Sequence, residues 1–160
     1  MDDPTSLLFG LESFRVVDVV RVADAVVQVV IETVEVQAAC PDCGQLSGRI
    51  KDRPLIRVKD LPASGQQVAL WWRKRRLLCL RASCSRLSFT ESTAAIPSRS
   101  RLTGRLRDKL ATAIAGSNRA VAEVAVEYGV AWHTAHRALI TAALRWLPAS
   151  GRRWKCRNSK

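Results

Sequence analysis

The sequence predicts an α+β chain: a β-rich first half followed by a domain of three helices. Three observations point there. β-branched residues crowd the segment from Phe14 to Val36, apolar residues beyond Arg101 recur at steps of three and four, and four cysteines form two short-spaced pairs in the first half. β-branched side chains are stiff at χ1 and suit a pleated surface, whereas the three-and-four step is the buried stripe of an amphipathic helix. At 160 residues the chain has room for one ordinary domain or two small ones.

In order along the chain, two strands are expected near 14–22 and 26–37, joined as a hairpin by a turn at Ala23, Asp24 and Ala25. A loop follows with Cys40-Pro41-Asp42-Cys43-Gly44. Ile56 to Leu61 and Gln66 to Leu78 then read as a second hairpin, because Pro62, Ala63, Ser64 and Gly65 combine a fixed φ with a glycine that permits a tight reversal. Ser92, Thr93, Pro97, Ser98 and Ser100 mark a change of composition after Phe89. Leu102, Leu106, Leu110, Ala113 and Ile114 make the stripe of a helix ending near Gly116. Two more helices fit Ala120 to Tyr128 and Trp132 to Leu147, with Pro148 stopping the last. The expected organisation is a β-rich domain over 1–92, a linker over 93–100, a helical domain over 101–148 and a basic tail over 149–160.

Charge narrows the class of partner. The net charge is +12, and it is placed unevenly: two cations against seven acids in residues 1–39, eleven against three in 40–89, and thirteen against four in 90–160. A polyanion is the first partner such an imbalance suggests, with a solvated cationic surface as the bland alternative. Nucleic acid is favoured over membrane, because Asp18, Arg21, Asp24, Gln28 and Glu32 interrupt the valine-rich stretch. The start Met1-Asp2-Asp3-Pro4 lacks a secretory pattern, so a reducing cytoplasm is expected, where cysteines ligate metal more readily than they form disulfides.

Cys40, Cys43, Cys79 and Cys84 are the candidate ligands of one structural zinc ion. Zinc takes four tetrahedral ligands, and two short-spaced pairs let two tight turns present two thiolates each. Gly44 allows the first turn to point backbone N–H groups at sulfur. Buried apolar thiols, or a redox Cys-x-x-Cys, would account for the first pair and leave the second unexplained. Cys156, alone in the basic tail, reads as a free thiol. His133 and His136 share a helix face but have no further ligand near them in sequence, so they read as surface.

Val121 to Ile140 carries the pattern of a helix-turn-helix. Val124, Tyr128 and Val130 would pack inward, Ala125 is small where helices must approach, Gly129 suits a left-handed turn, and Ala135 and Ala138 continue the buried face. Trp132, His133, Thr134, His136 and Arg137 then face outward, where a groove-entering helix reads base edges, and Arg119 suits a phosphate contact. A plain helical hairpin gives the same small residues. Ala131 also stands where a capping side chain is usual. Arg73, Lys74, Arg75 and Arg76 follow Trp71 and Trp72. On one strand Trp71, Arg73 and Arg75 would share a face and Trp72, Lys74 and Arg76 the other, which fits either phosphate binding or an edge protected by charge.

Taken in order, CPDCG, the segment DRPLIRVKDLPASGQQVALWWRKRRLLC, Cys84 followed by SRLSFTE, and the helical pattern resemble the N-terminal region of the ISL-three family of bacterial insertion-sequence transposases. The resemblance runs from about Leu8 to Leu147. Its most specific parts are Asp60-Leu61-Pro62, Arg75-Arg76 and Phe89-Thr90-Glu91. It implies a zinc finger and a helix-turn-helix that recognise the terminal inverted repeats of the element, on duplex DNA, ahead of a catalytic domain holding an acidic triad. Glu91, Asp108, Glu123 and Glu127 are the acids after residue 90, and they read as surface and loop charges rather than a two-metal cluster. The expectation is therefore a truncated, non-catalytic DNA-binding chain, with a homo-oligomer open. A stand-alone repressor at the same sites, and a zinc ribbon for RNA or protein, are the alternatives.

Overall fold

The computed structural model describes residues 10–23, 26–63 and 67–146. The chain divides into two compact units, Met1–Arg105 and Leu106–Lys160. In chain order the strands are β1 (Phe14–Ala23), β2 (Val26–Thr33), β3 (Ala38–Ala39), β4 (Leu46–Ser47), β5 (Ile50–Asp52), β6 (Leu55–Lys59), β7 (Gln67–Arg73), β8 (Arg76–Leu78) and β9 (Ser88–Thr90). The helices are α1 (Gly104–Ala115), α2 (Val121–Glu127) and α3 (Trp132–Trp146). Among the described residues no helix is long and apolar enough to cross a membrane.

Four strands form one sheet in the order β1-β2-β7-β6, with β1–β2 and β6–β7 antiparallel and β2–β7 parallel. Both expected hairpins are present, although Asp24, Ala25 and Ser64 to Gln66 lie outside the described residues. A parallel neighbour needs a long connection. Here the chain leaves the sheet after β2, runs through β3, β4 and β5, returns through β6 and β7, and leaves again through β8 and β9. The two excursions build a smaller body beside the sheet, in which β3 pairs with β4 and β5-β8-β9 make three strands. Cys40 and Cys43 lie on the first excursion, Cys79 and Cys84 on the second.

Strand alternation selects the residues of the sheet's core. Val29 and Ile31 on β2, Leu70 and Trp72 on β7 and Val58 on β6 bury together with Phe14, and Leu11 and Ile96 complete the cluster. Phe14 meets Trp72 edge to face at 5.3 Å, and Trp72 Nε1 donates to Thr33 Oγ1 at 3.3 Å. Ile96 comes from the segment expected as a linker. It is fully buried, Ile96 N donates to Thr93 Oγ1 at 3.0 Å, and Gly104 N to Ala95 O at 2.7 Å. Serine and proline in 93–100 therefore shape a loop packed on the first unit, where one buried isoleucine outweighs a polar composition.

The strand expected over Gln66 to Leu78 is broken, which corrects the single alternating face proposed for Trp71 to Arg76. Lys74 N turns to Pro54 O at 2.9 Å and Arg75 N to the Glu91 carboxylate at 2.5 Å, so the ladder stops at Arg73 and resumes in another sheet at Arg76. Asp60, whose side chain is fully buried, accepts from Thr103 Oγ1 at 2.6 Å and Arg105 Nε at 2.8 Å, and it also pairs with Arg105 Nη2. A buried carboxylate persists only when paired and hydrogen-bonded in this way.

In the second unit α1 buries Leu106, Leu110, Ala111, Ala113 and Ile114. It closes at Gly116, whose N–H bonds Thr112 O at 2.8 Å; a Cβ there would sit 2.8 Å from the same oxygen. Helices α2 and α3 pack through Val124, Ala125, Ala135, Ala138 and Ala142. Small side chains at these positions let the two backbones approach. Gly129 adopts φ +56° in the connection, the left-handed conformation that glycine enters without steric cost.

Candidate metal centre

The sulfur atoms of Cys40, Cys43, Cys79 and Cys84 all lie within 4.8 Å of one another, and Cys43 and Cys79 are 3.6 Å apart. Tetrahedral zinc with bonds near 2.3 Å requires sulfurs about 3.8 Å apart, so the donor set is gathered close to the spacing one ion needs. Among the described residues this is the one group of three or more Cys, His, Asp or Glu side chains placed to share a metal. Four thiolates close the coordination sphere and leave no position for substrate, so the zinc chemistry supplied here is structural.

The local backbone explains the convergence. Gly44, at φ +71°, donates to Cys40 O at 2.9 Å, and Cys40 N donates to Gln45 O at 2.9 Å, which folds the first pair into a knuckle at the β3–β4 turn. In the second pair Cys79 N reaches Leu87 O and Cys84 N reaches Arg81 O, both at 3.1 Å. Backbone N–H groups two residues ahead point back at sulfur: Asp42 at Cys40, Arg81 at Cys79 and Arg86 at Cys84. These donors stabilise thiolate, the form that ligates metal.

Shared protons follow from the crowding. At Cys40 burial opposes the thiolate, but the Asp42 and Cys43 N–H groups and the Cys43 and Cys79 thiols outweigh it and bring the group down to about 7. At Cys79 the Arg81 N–H favours ionisation, yet burial and the neighbouring thiols win and push it up to about 12. Cys84 is raised as well, the Arg86 N–H being outweighed mainly by burial and Cys43. Zinc binding must therefore displace protons, and affinity should rise with pH. Zinc titrations against a chelating dye at pH values of about 6 and about 8 should show tighter binding at the higher pH, with proton release. Equal affinity at both would contradict thiolate ligation.

The apolar cluster around the site is small: Cys40, Leu77 and Phe89 buried, with Ala38, Ile50 and the other three cysteines packed against them. So few buried side chains do not hold a fold alone, and a metal staple supplies the deficit. Asp42 and Arg86 add an exposed ion pair at 2.7 Å between the two knuckles. Sequence reading missed that pair, because nothing in the spacing of one aspartate and one arginine separated by most of the finger marks them as neighbours.

The cations singled out in the sequence occupy varied places. Arg73 bonds Glu32 at 3.0 Å. Lys74 is buried with its ammonium 4.4 Å from the Trp72 ring centroid, and burial lowers its pKa against the opposing influence of Glu91. Arg75 bonds Glu91 through Nε at 2.8 Å and the carbonyls of Glu35 and Val36 at 2.6 and 3.0 Å. Arg76 is exposed, 4.0 Å from Asp52. Arg119 pairs with Glu127 and lies 4.0 Å from Glu123. On α3, Trp132, His133 and Arg137 are exposed and Thr134 and His136 half-buried, with the Trp132 and His136 rings stacked at 4.8 Å. Glu91, read as a loop charge, is buried at 2% exposure instead.

Four clustered thiols on two knuckles of short β-strands define a zinc ribbon as the class of site. Residues 37–84 match the family described as the zinc-finger of transposase IS204/IS1001/IS1096/IS1165. That match covers less than a third of the chain and includes all four cysteines. Among curated proteins and among solved structures, none matches this chain.

Proposed function

We propose that this chain is the zinc-dependent, DNA-binding part of a bacterial transposase and recognises the terminal inverted repeats of an insertion sequence. The observation that carries the reading is the coincidence of the transposase zinc-finger match with four thiols gathered for one ion. The excess of cations, the packed pair α2–α3 and the exposed Trp132, His133 and Arg137 at the start of α3 support a helix-turn-helix reader in the second unit. In that arrangement the first turns of α3, from Trp132 to Arg137, face the major groove. Arg76 has the freest guanidinium of the basic run for phosphate, whereas Arg119 would exchange a carboxylate for one. The partner is duplex DNA in the bacterial cytoplasm, at the nucleoid, and paired end repeats suit a homo-oligomer.

Selection of bound duplexes from a random pool, with and without a chelator, tests this directly. A single enriched motif that disappears with the chelator is expected. Recovery indifferent to sequence, or preferential binding of single-stranded RNA in a parallel competition, would contradict it.

A further inference from the structure

We infer that the outer face of the four-stranded sheet is a second contact surface for duplex DNA, one that grips backbone phosphates through Arg15, Arg53, Arg57 and Arg73. This rests on the DNA-binding reading above and adds to it a surface separate from α3. The register places Arg15 opposite Glu32, Val30 beside Trp71, Trp71 opposite Arg57 and Arg73 opposite Leu55. Alternation then puts Arg15, Glu32, Trp71, Arg73, Leu55 and Arg57 on the face away from the core.

Glu32 organises that face. Its carboxylate accepts from Arg15 at 3.1 Å and from Arg73 at 3.0 Å, and Arg53 lies 3.6 Å away. Three guanidinium groups around one carboxylate leave an excess of positive charge, to which exposed Arg57 adds another cation with no ion pair among the described residues. The side chains of Arg15, Arg53 and Arg73 remain 64%, 48% and 42% exposed, while that of Glu32 is 11% exposed. Each arginine therefore keeps outward N–H donors of its five-donor fork available, held at fixed spacing by the shared acid. Phosphate oxygens match such donors in charge and geometry. The cations extend from β1 to β6, about 14 Å at the usual strand spacing, which suits the repeated charge of a polyanion better than one small anion.

The test uses the full zinc-loaded chain, a fluorophore-labelled duplex of mixed sequence and a salt series. Arg53→Gln combined with Arg57→Gln removes the most distant of the three Glu32 partners and one further exposed cation, so zinc content should be unchanged. The slope of log K against log salt should become shallower by roughly 1.8, from about 0.9 per lost phosphate contact. Leu55→Lys, at an exposed position on the same face, should steepen it by up to about 0.9. Wild-type slopes in both variants would overturn the sheet surface and leave the DNA reading standing. No duplex binding by the wild-type chain would overturn both. Displacement of the duplex by a polyglutamate peptide at equal charge would show a general anion surface and overturn the assignment to DNA.

Discussion

Cys79→Ser is expected to abolish stoichiometric zinc binding and melt the finger while the four-stranded sheet and the helices persist. Structural zinc contributes on the order of ten kcal/mol in small zinc peptides, comparable to the whole stability of an ordinary domain. The finger's own apolar core, centred on Cys40, Leu77 and Phe89, is too small to replace it. The sheet is different: its cluster of Phe14, Val29, Ile31, Val58, Leu70, Trp72 and Ile96 contains none of the ligands. Hydrogen exchange separates the two bodies. Amides of Cys40, Gly44, Leu78 and Cys79 should lose protection, and those of Ile31 and Leu70 should keep it. Retained one-to-one zinc would overturn the ligand set; loss of protection throughout the sheet would show that the metal holds the first unit together as a whole.

That outcome sharpens what the residues alone imply, which is an undivided β-rich half tied by zinc. The knuckles were legible because their chemistry is local: two pairs of cysteines and a glycine needed at φ +71° after Cys43. The hairpins and the three helices were legible for a similar reason, since alternation and the three-and-four step report on neighbours within one element. The break at Lys74 and Arg75 was not. Its cause is a carboxylate at Glu91, sixteen residues on, that captures the Arg75 N–H and guanidinium. The same holds for Asp60 with Thr103 and Arg105, and for Glu32 with Arg15, Arg53 and Arg73, where partners meet only after the sheet has formed.

Three segments stood out as the most specific of the chain, and a buried ionic contact now gives each of them a physical account. Asp60-Leu61-Pro62 places a buried acid that ties the end of β6 to Thr103 and Arg105. Arg75 and Glu91 come from the other two segments and meet each other. A net count of cations thus overstated the charge available to a partner, because buried acids hold some of it in place. Arg76, next in sequence, points to solvent.

Glu91→Ala should therefore be among the most damaging single changes in the first unit. The Glu91 carboxylate is 2% exposed and accepts Arg75 N at 2.5 Å and Nε at 2.8 Å, with an ion pair to Nη2 at 2.7 Å. Truncation leaves the Arg75 guanidinium, at 11% side-chain exposure, with the Glu35 and Val36 carbonyls alone, and orphans the Arg75 backbone N–H just past the end of β7. Breaking a buried pair from one side costs about 3–5 kcal/mol, against about 5–15 kcal/mol for a whole domain. Buried Lys74 also loses the acid that offsets its desolvation. Urea unfolding followed by tryptophan fluorescence should show a midpoint well below wild type, with zinc still bound before the transition. Glu91→Gln, which keeps the shape and one acceptor, should lose less. A cost below about 1 kcal/mol for Glu91→Ala would mean that Arg75 is not committed to Glu91, and would return it to the set of cations open to phosphate.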